Sequence, residues 1–140
     1  MSTQFDLILL AAQRAGTTNP LAEAHGVSHK CLVPIIGEPL IARTLASVTS
    51  HPGCRAVYIL IEPDGEPAVR EVAERFASED RPVNFIASDS NIAGSVLRGC
   101  EQGDAPFVIT TADNVLIKQD SIGTMAMPIA TYMELQIGKL

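Results

Sequence analysis

Residues 5–12 read Phe-Asp-Leu-Ile-Leu-Leu-Ala-Ala, FDLILLAA. So nearly continuous an apolar run predicts a strand buried on both faces, the kind that fills the middle of a parallel sheet. Working outward from it, three more short apolar runs follow: 55–61 (RAVYILI), 82–87 (PVNFIA) and 106–111 (PFVITT). Helical patterns lie between them. Pro39 is placed to open a helix in which Leu40, Ile41, Leu45 and Val48 make one apolar stripe. Pro67 opens a second, with Ala68, Val69, Val72, Ala73 and Phe76 on one face and Glu71 and Arg75 as an i,i+4 pair on another. Ser90 or Asn91 caps a third, whose Ile92, Val96, Leu97 and Cys100 are expected to face inward. Buried strands alternating with helices specify an α/β fold, a three-layer sandwich with a mainly parallel, Rossmann-like sheet. One domain, 1–140, is expected; Pro128 interrupts the pattern in 119–140, which reads as an irregular tail.

The bulk composition narrows the function classes. With 46% hydrophobic residues among 140, the chain has enough apolar side chains to fill a core. Sixteen carboxylates against ten Lys and Arg give a net charge of -6, and no basic run is present. Nucleic-acid binding is therefore not expected, because phosphate backbones are held by clustered cations. A single triphosphate remains compatible with this charge, since a few placed cations and backbone N–H groups suffice for it. The three cysteines, Cys31, Cys54 and Cys100, are widely spaced and odd in number, which fits free buried thiols better than a disulfide framework or a zinc site. The first residues lack a basic n-region, and the apolar run at Leu7–Ala12 is too short to span a membrane. A cytoplasmic protein without membrane contact is the expectation.

Open α/β sheets bind ligands beyond the carboxyl ends of their strands. Two segments there carry chemistry. One is 10–39, LAAQRAGTTNPLAEAHGVSHKCLVPIIGEP. Ala11, Ala12, Ala15 and Gly16 are small, so backbone N–H groups around them can approach a polyphosphate, and Arg14 and Lys30 add positive charge. The segment is far longer than an ordinary βα connection. A plain polar surface loop accounts for the same residues. His25 and His29 are four apart, but Gly26 lies between them and no third ligand is near, so a metal pair is not expected. The second segment is Thr110-Thr111-Ala112-Asp113-Asn114. A carboxylate at a strand end suits Mg²⁺, although taken alone Asp113 reads more simply as a turn residue. Glu62 and Asp64 end the second strand, where they can face the site, but they read more simply as the turn that starts the next helix. Neither GxxxxGK[ST] nor GxGxxG is present, so neither a P-loop nor a dinucleotide fingerprint is available.

The stretch Lys30-Cys31-Leu32-Val33-Pro34-Ile35-Ile36-Gly37-Glu38-Pro39-Leu40-Ile41 matches every fixed position of K-x-L-x-P-x-x-G-x-P-L-[IL]. With Thr111-Ala112-Asp113-Asn114 ending a later strand, the chain resembles the GT-A-type nucleotidyltransferases over about residues 5–118, particularly the molybdenum-cofactor guanylyltransferase-like NTP transferases. The resemblance implies the nucleotide-diphospho-sugar transferase type of sheet. It also implies transfer of an NMP group from an NTP to a small phosphorylated acceptor, with loss of pyrophosphate. It assigns Lys30 and Asp113 to catalysis and Asp113 to Mg²⁺. Ala11, Ala12, Gln13, Arg14, Gly16 and Lys30 fall to the triphosphate, and Ser88, Ser90, Asn91 and Ser95 to the base or ribose.

Two departures stand out. The family's opening is LAAGxGxRM or close to it, whereas here Gln13 replaces a glycine and Thr17 stands where an Arg is usual. Active members also carry a second metal-binding carboxylate downstream, and after Asp120 this sequence offers only Glu134. The alternative is thus a truncated or degenerate nucleotide-binding module without transferase activity. Met125, Met127, Ile129, Tyr132, Met133, Leu135 and Ile137 in the tail are suited to cover a sheet edge or to pack on a partner such as a second copy.

Overall fold

The computed structural model describes residues 4–13, 19–88, 92–104 and 106–113. The tail and the caps expected at Ser90 or Asn91 lie outside them. The four apolar runs are strands: β1 (Phe5–Leu10), β4 (Cys54–Ile61), β5 (Val83–Ala87) and β6 (Phe107–Thr111). They form one sheet in the order β5-β4-β1-β6, with every neighbouring pair parallel. The mainly parallel α/β sandwich read from the sequence is the observed fold.

Period-two alternation assigns the side chains of β1 to two layers. Phe5, Leu7 and Leu9 pack with Ile41, Leu45 and Val48 of α2 (Leu40–Thr49) and with Val69 and Ala73 of α3 (Glu66–Ala73). Ile8 turns the other way, joining Leu60 and Phe107 beneath Cys100 of α4 (Ile92–Gln102). Helix α4 approaches closely because Gly99 has no side chain: a Cβ there would sit 3.2 Å from Ile8 Cδ1. Among the described residues no helix is long and apolar enough to cross a membrane.

Segment 10–39 holds more structure than a loop. Helix α1 (Pro20–Ala24) is capped by Asn19, whose side chain accepts from the Leu21 and Ala22 N–H groups at 2.9 and 3.2 Å, with Pro20 at the first helical position. It ends in a Schellman motif: Gly26 has φ +67, its N–H reaches Glu23 O, and the Val27 N–H reaches Ala22 O. A 3₁₀ turn, Lys30–Leu32, then leads into a small antiparallel hairpin of β2 (Pro34–Ile35) and β3 (Glu38–Pro39). Ile36 and Gly37 both have positive φ, 51° and 80°, as a two-residue I′ turn demands. Glycine suits this place, and a β-branched isoleucine does not. Arg43 of α2 donates to Ile35 O at 3.1 and 2.5 Å, clamping the turn to the helix.

Three expected details differ. Pro39 is the N-cap of α2, not its first residue, because it also pairs in the hairpin. Helix α3 tightens into a 3₁₀ turn at Glu74–Phe76, so Arg75 swings away from Glu71 and pairs with Glu38 at 3.2 Å. The pairs along α3 are instead Arg70–Glu66 and Arg70–Glu74. Leu97 is 41% exposed, leaving Val96 as the buried residue of that pair.

Candidate functional site

Strand order reverses between β1 and β6: the chain leaves β1 toward β4 and β5, then returns through α4 to the far side of β1. Such a switch point opens a crevice at the carboxyl ends of the two strands. Ala11–Gln13 leave β1 there, and Ala112 and Asp113 leave β6 beside them. The Ala112 N–H donates to Leu10 O at 2.9 Å, continuing the ladder past the strand ends. Thr44 of α2 donates to Ala112 O at 2.9 Å, which fixes the turn carrying Asp113 against the helix.

Lys30 reaches this turn from the 3₁₀ segment. Its Nζ lies 2.8 Å from Asp113 Oδ2, with the two side chains 48% and 28% exposed. The structure thus brings together the two residues that the sequence singled out for chemistry. Burial by itself would raise the Asp113 carboxyl. Hydrogen bonds from Lys30 and Thr111 and the Lys30 charge outweigh that effect and hold it below the ordinary carboxylate range. Lys30 is pushed upward, first by its hydrogen bond to Asp113 and then by the carboxylate charge. Both groups are therefore charged at neutral pH.

Beside the pair lies Cys31, buried in the main core. Burial, with the Asp113 charge adding to it, pushes its thiol up to about 12, so it stays an inert packing group. Cys54 is raised to about 11 by burial, and all three cysteines are free.

The other predicted residues divide by position. Ala11 is buried and its N–H donates to Leu60 O at 3.0 Å, while Ala12 is exposed. The Gln13 N–H donates to Glu62 Oε2 at 3.1 Å. Two amides of the expected phosphate cradle are thus engaged within the fold. Arg14 and Gly16, like Ser90 and Asn91, lie outside the described residues. Ser88 follows β5, two strands from β1 and so roughly 10 Å across the sheet. Ser95 is buried on α4, 3% exposed.

Glu62, His29 and the Gln13 side chain were not singled out as a group by the sequence. Glu62 does precede a turn, accepting the Gly65 N–H through its backbone carbonyl. Its carboxylate, however, faces the site. Oε1 pairs with Nε2 of the buried His29, whose Nδ1 lies 2.9 Å from Ser28 Oγ. A place for the imidazole exists because Gly65 is bare: a Cβ there would fall 2.3 Å from the ring. The available signal was the position of Glu62 directly after a buried strand, at the sheet edge where ligands bind.

A cation and a carboxylate face each other at the switch point of the parallel sheet, where open α/β domains bind their ligands. The sequence model of the MobA-like NTP transferase domain matches residues 8–132. The chain belongs to that family. A 2-C-methyl-D-erythritol 4-phosphate cytidylyltransferase from Gloeobacter violaceus is 35% identical over 71 residues, 51% of this chain and 30% of that protein. Among solved structures, a nucleotidyl transferase from Methanothermobacter thermautotrophicus superposes with TM-score 0.67 at 19% identity, over 89% of this chain and 57% of its own. A cytidylyltransferase from Leptospira borgpetersenii gives TM-score 0.64 at 18% identity, over 87% and 47%. The chain therefore spans about half the length of these structures and less than a third of the curated relative.

Proposed function

We propose that this chain is the nucleotide-binding half of a nucleotidyltransferase that moves an NMP group from an NTP to a small phosphorylated acceptor. The Lys30–Asp113 pair at the switch point carries the proposal. An acceptor phosphate oxygen would attack the α-phosphorus in line; its new P–O bond replaces the α–β anhydride bond, and pyrophosphate leaves. An ionised acceptor phosphate needs no general base.

Lys30 supplies a permanent positive charge to the phosphoryl oxygens, where negative charge builds up in the transition state. Asp113 is a hard anionic oxygen ligand, so its chemistry fits Mg²⁺ provided that substrate oxygens and water complete the shell. Among the described residues no group of three His, Cys, Asp or Glu side chains could hold a metal without such help. When bound, Mg²⁺ would neutralise phosphate charge at Asp113. In the free protein Lys30 and Asp113 neutralise each other, which keeps both ready at small cost. Ser88, Ser90, Asn91 and Ser95 remain proposed for the base or ribose, with Ser88 the most accessible of the two described.

The relatives point to the nucleotides to try first. One structural neighbour is a CMP-2-keto-3-deoxy-manno-octonic acid synthetase complexed with CTP, and the curated relative is a cytidylyltransferase. A pyrophosphate-release assay with CTP and GTP, with Mg²⁺ and a panel of sugar and polyol phosphates, tests the transferase reading. Release that depends on one NTP and one acceptor supports it. Tight NTP binding without release for any acceptor would leave a binding module in place of an enzyme.

A further inference from the structure

The segment leading to Lys30 is held by a closed ring of side-chain hydrogen bonds. The Gln13 carboxamide spans two backbone groups of the opposite segment: its Nε2 donates to Ser28 O at 2.8 Å, and its Oε1 accepts the Lys30 N–H at 3.1 Å. A primary amide used this way imitates one peptide unit of a neighbouring strand, offering a donor and an acceptor to residues two apart. Gln13 is itself fixed, since its own N–H rests on Glu62 Oε2 at 3.1 Å. The other oxygen of Glu62 takes the His29 ring, and the ring reaches back to Ser28 Oγ. Each nitrogen of the His29 ring thus has a partner, Glu62 Oε1 at Nε2 and Ser28 Oγ at Nδ1.

On the far side of Lys30, buried Cys31 anchors the chain in the core. The lysine is thus gripped from both directions. Its side chain is half-exposed and has four rotatable bonds, with about 2 kcal/mol of rotamer entropy to lose on ordering. Fixing its backbone is the means by which the fold can aim the ammonium at Asp113 before a ligand arrives.

We infer that Gln13 is a positioning residue that aims Lys30, with Glu62 as its base plate. The inference rests on the proposed role of Lys30 as the triphosphate cation. It gives a purpose to the glutamine that stands where the family has a glycine: its side chain ties the lysine in place.

The test uses Gln13→Ala and two measurements. In nucleotide-free protein, ¹⁵N relaxation of the Lys30 side-chain ammonium reports its order without any ligand. The tether predicts a clear loss of order in Gln13→Ala, with little change in melting temperature; unchanged order would overturn it. In the second measurement, calorimetry with Mg²⁺ and the preferred NTP is run as a double-mutant cycle with Lys30→Ala. Gln13→Ala should weaken binding about tenfold in the wild-type background and hardly at all once Lys30 is gone. An equal loss in both backgrounds would overturn positioning, because Gln13 would then act by touching the nucleotide itself. If wild-type protein binds no NTP, the proposed function fails, and the relaxation measurement alone decides the tether.

Discussion

Two cation–carboxylate pairs stand at opposite ends of the sheet. At the amino end, Asp6 of β1 is 4% exposed, and both of its oxygens are used: Oδ1 accepts from Arg55 Nε at 3.2 Å and Oδ2 from the Asp104 N–H at 2.7 Å. Arg55 also donates to Asp104 O at 2.8 Å, closing the group on itself. Gly103 completes the enclosure, since a Cβ there would come within 2.7 Å of Asp6 Oδ2. At the carboxyl end, Lys30 and Asp113 meet through one contact and remain partly open to solvent. The first pair is saturated and can only hold structure together. The second keeps capacity for a ligand, and it stands where the topology opens a crevice. Charge pairing alone does not distinguish the two; the burial of the carboxylate and its position in the topology do.

The contrast is sharpest when each pair is broken. Asp6→Ala strips a buried network of its acceptor and should cost on the order of 3 kcal/mol in urea denaturation, leaving nucleotide affinity unchanged among molecules that remain folded. Lys30→Ala should do the reverse. The exposed pair contributes under about 1 kcal/mol to stability, while loss of a charge-assisted bond to phosphate should weaken NTP binding roughly ten- to hundredfold by calorimetry. Asp113→Asn is expected to remove the Mg²⁺ dependence of binding, and a metal response that survives it would place the ligands elsewhere.

The smallest effect is on pH. Asp113 lies below its ordinary value of 3.8 in the folded protein, so its contribution is complete above that value and is lost as pH falls through the lower, folded one. Lys30 is raised above 10.5, so its contribution is present below that value and is lost as pH rises through the higher one. Between these limits stability curves of wild type and Lys30→Ala should run parallel. A divergence near pH 7 would assign the pair to other groups.

The sheet was legible because its evidence is local: four apolar runs such as RAVYILI can satisfy themselves only as buried strands. Lys30 and Asp113 were legible as separate residues, from a dense motif and a strand end, but their contact across the chain was not. Helix α1 escaped although its signals, Asn19-Pro20 ahead and Gly26 behind, are present in the sequence. Five residues are too few to show helical periodicity, so capping alone had to carry the reading. The Gln13–Glu62–His29 ring was invisible for a different reason. Each member has an ordinary local role, and only the three-dimensional return of segment 28–30 to the end of β1 joins them. The Glu71–Arg75 pair failed because α3 tightens into a 3₁₀ turn at Glu74, whereas Leu97 lies within α4 and is simply exposed there.

Calorimetric titration of the protein with CTP, GTP, ATP and UTP, each with and without Mg²⁺, addresses the Lys30–Asp113 site directly. The expected result is binding of one nucleotide that strengthens markedly with Mg²⁺ and falls at least tenfold in Lys30→Ala. Binding of no nucleotide, or binding indifferent to both Mg²⁺ and Lys30, would contradict it.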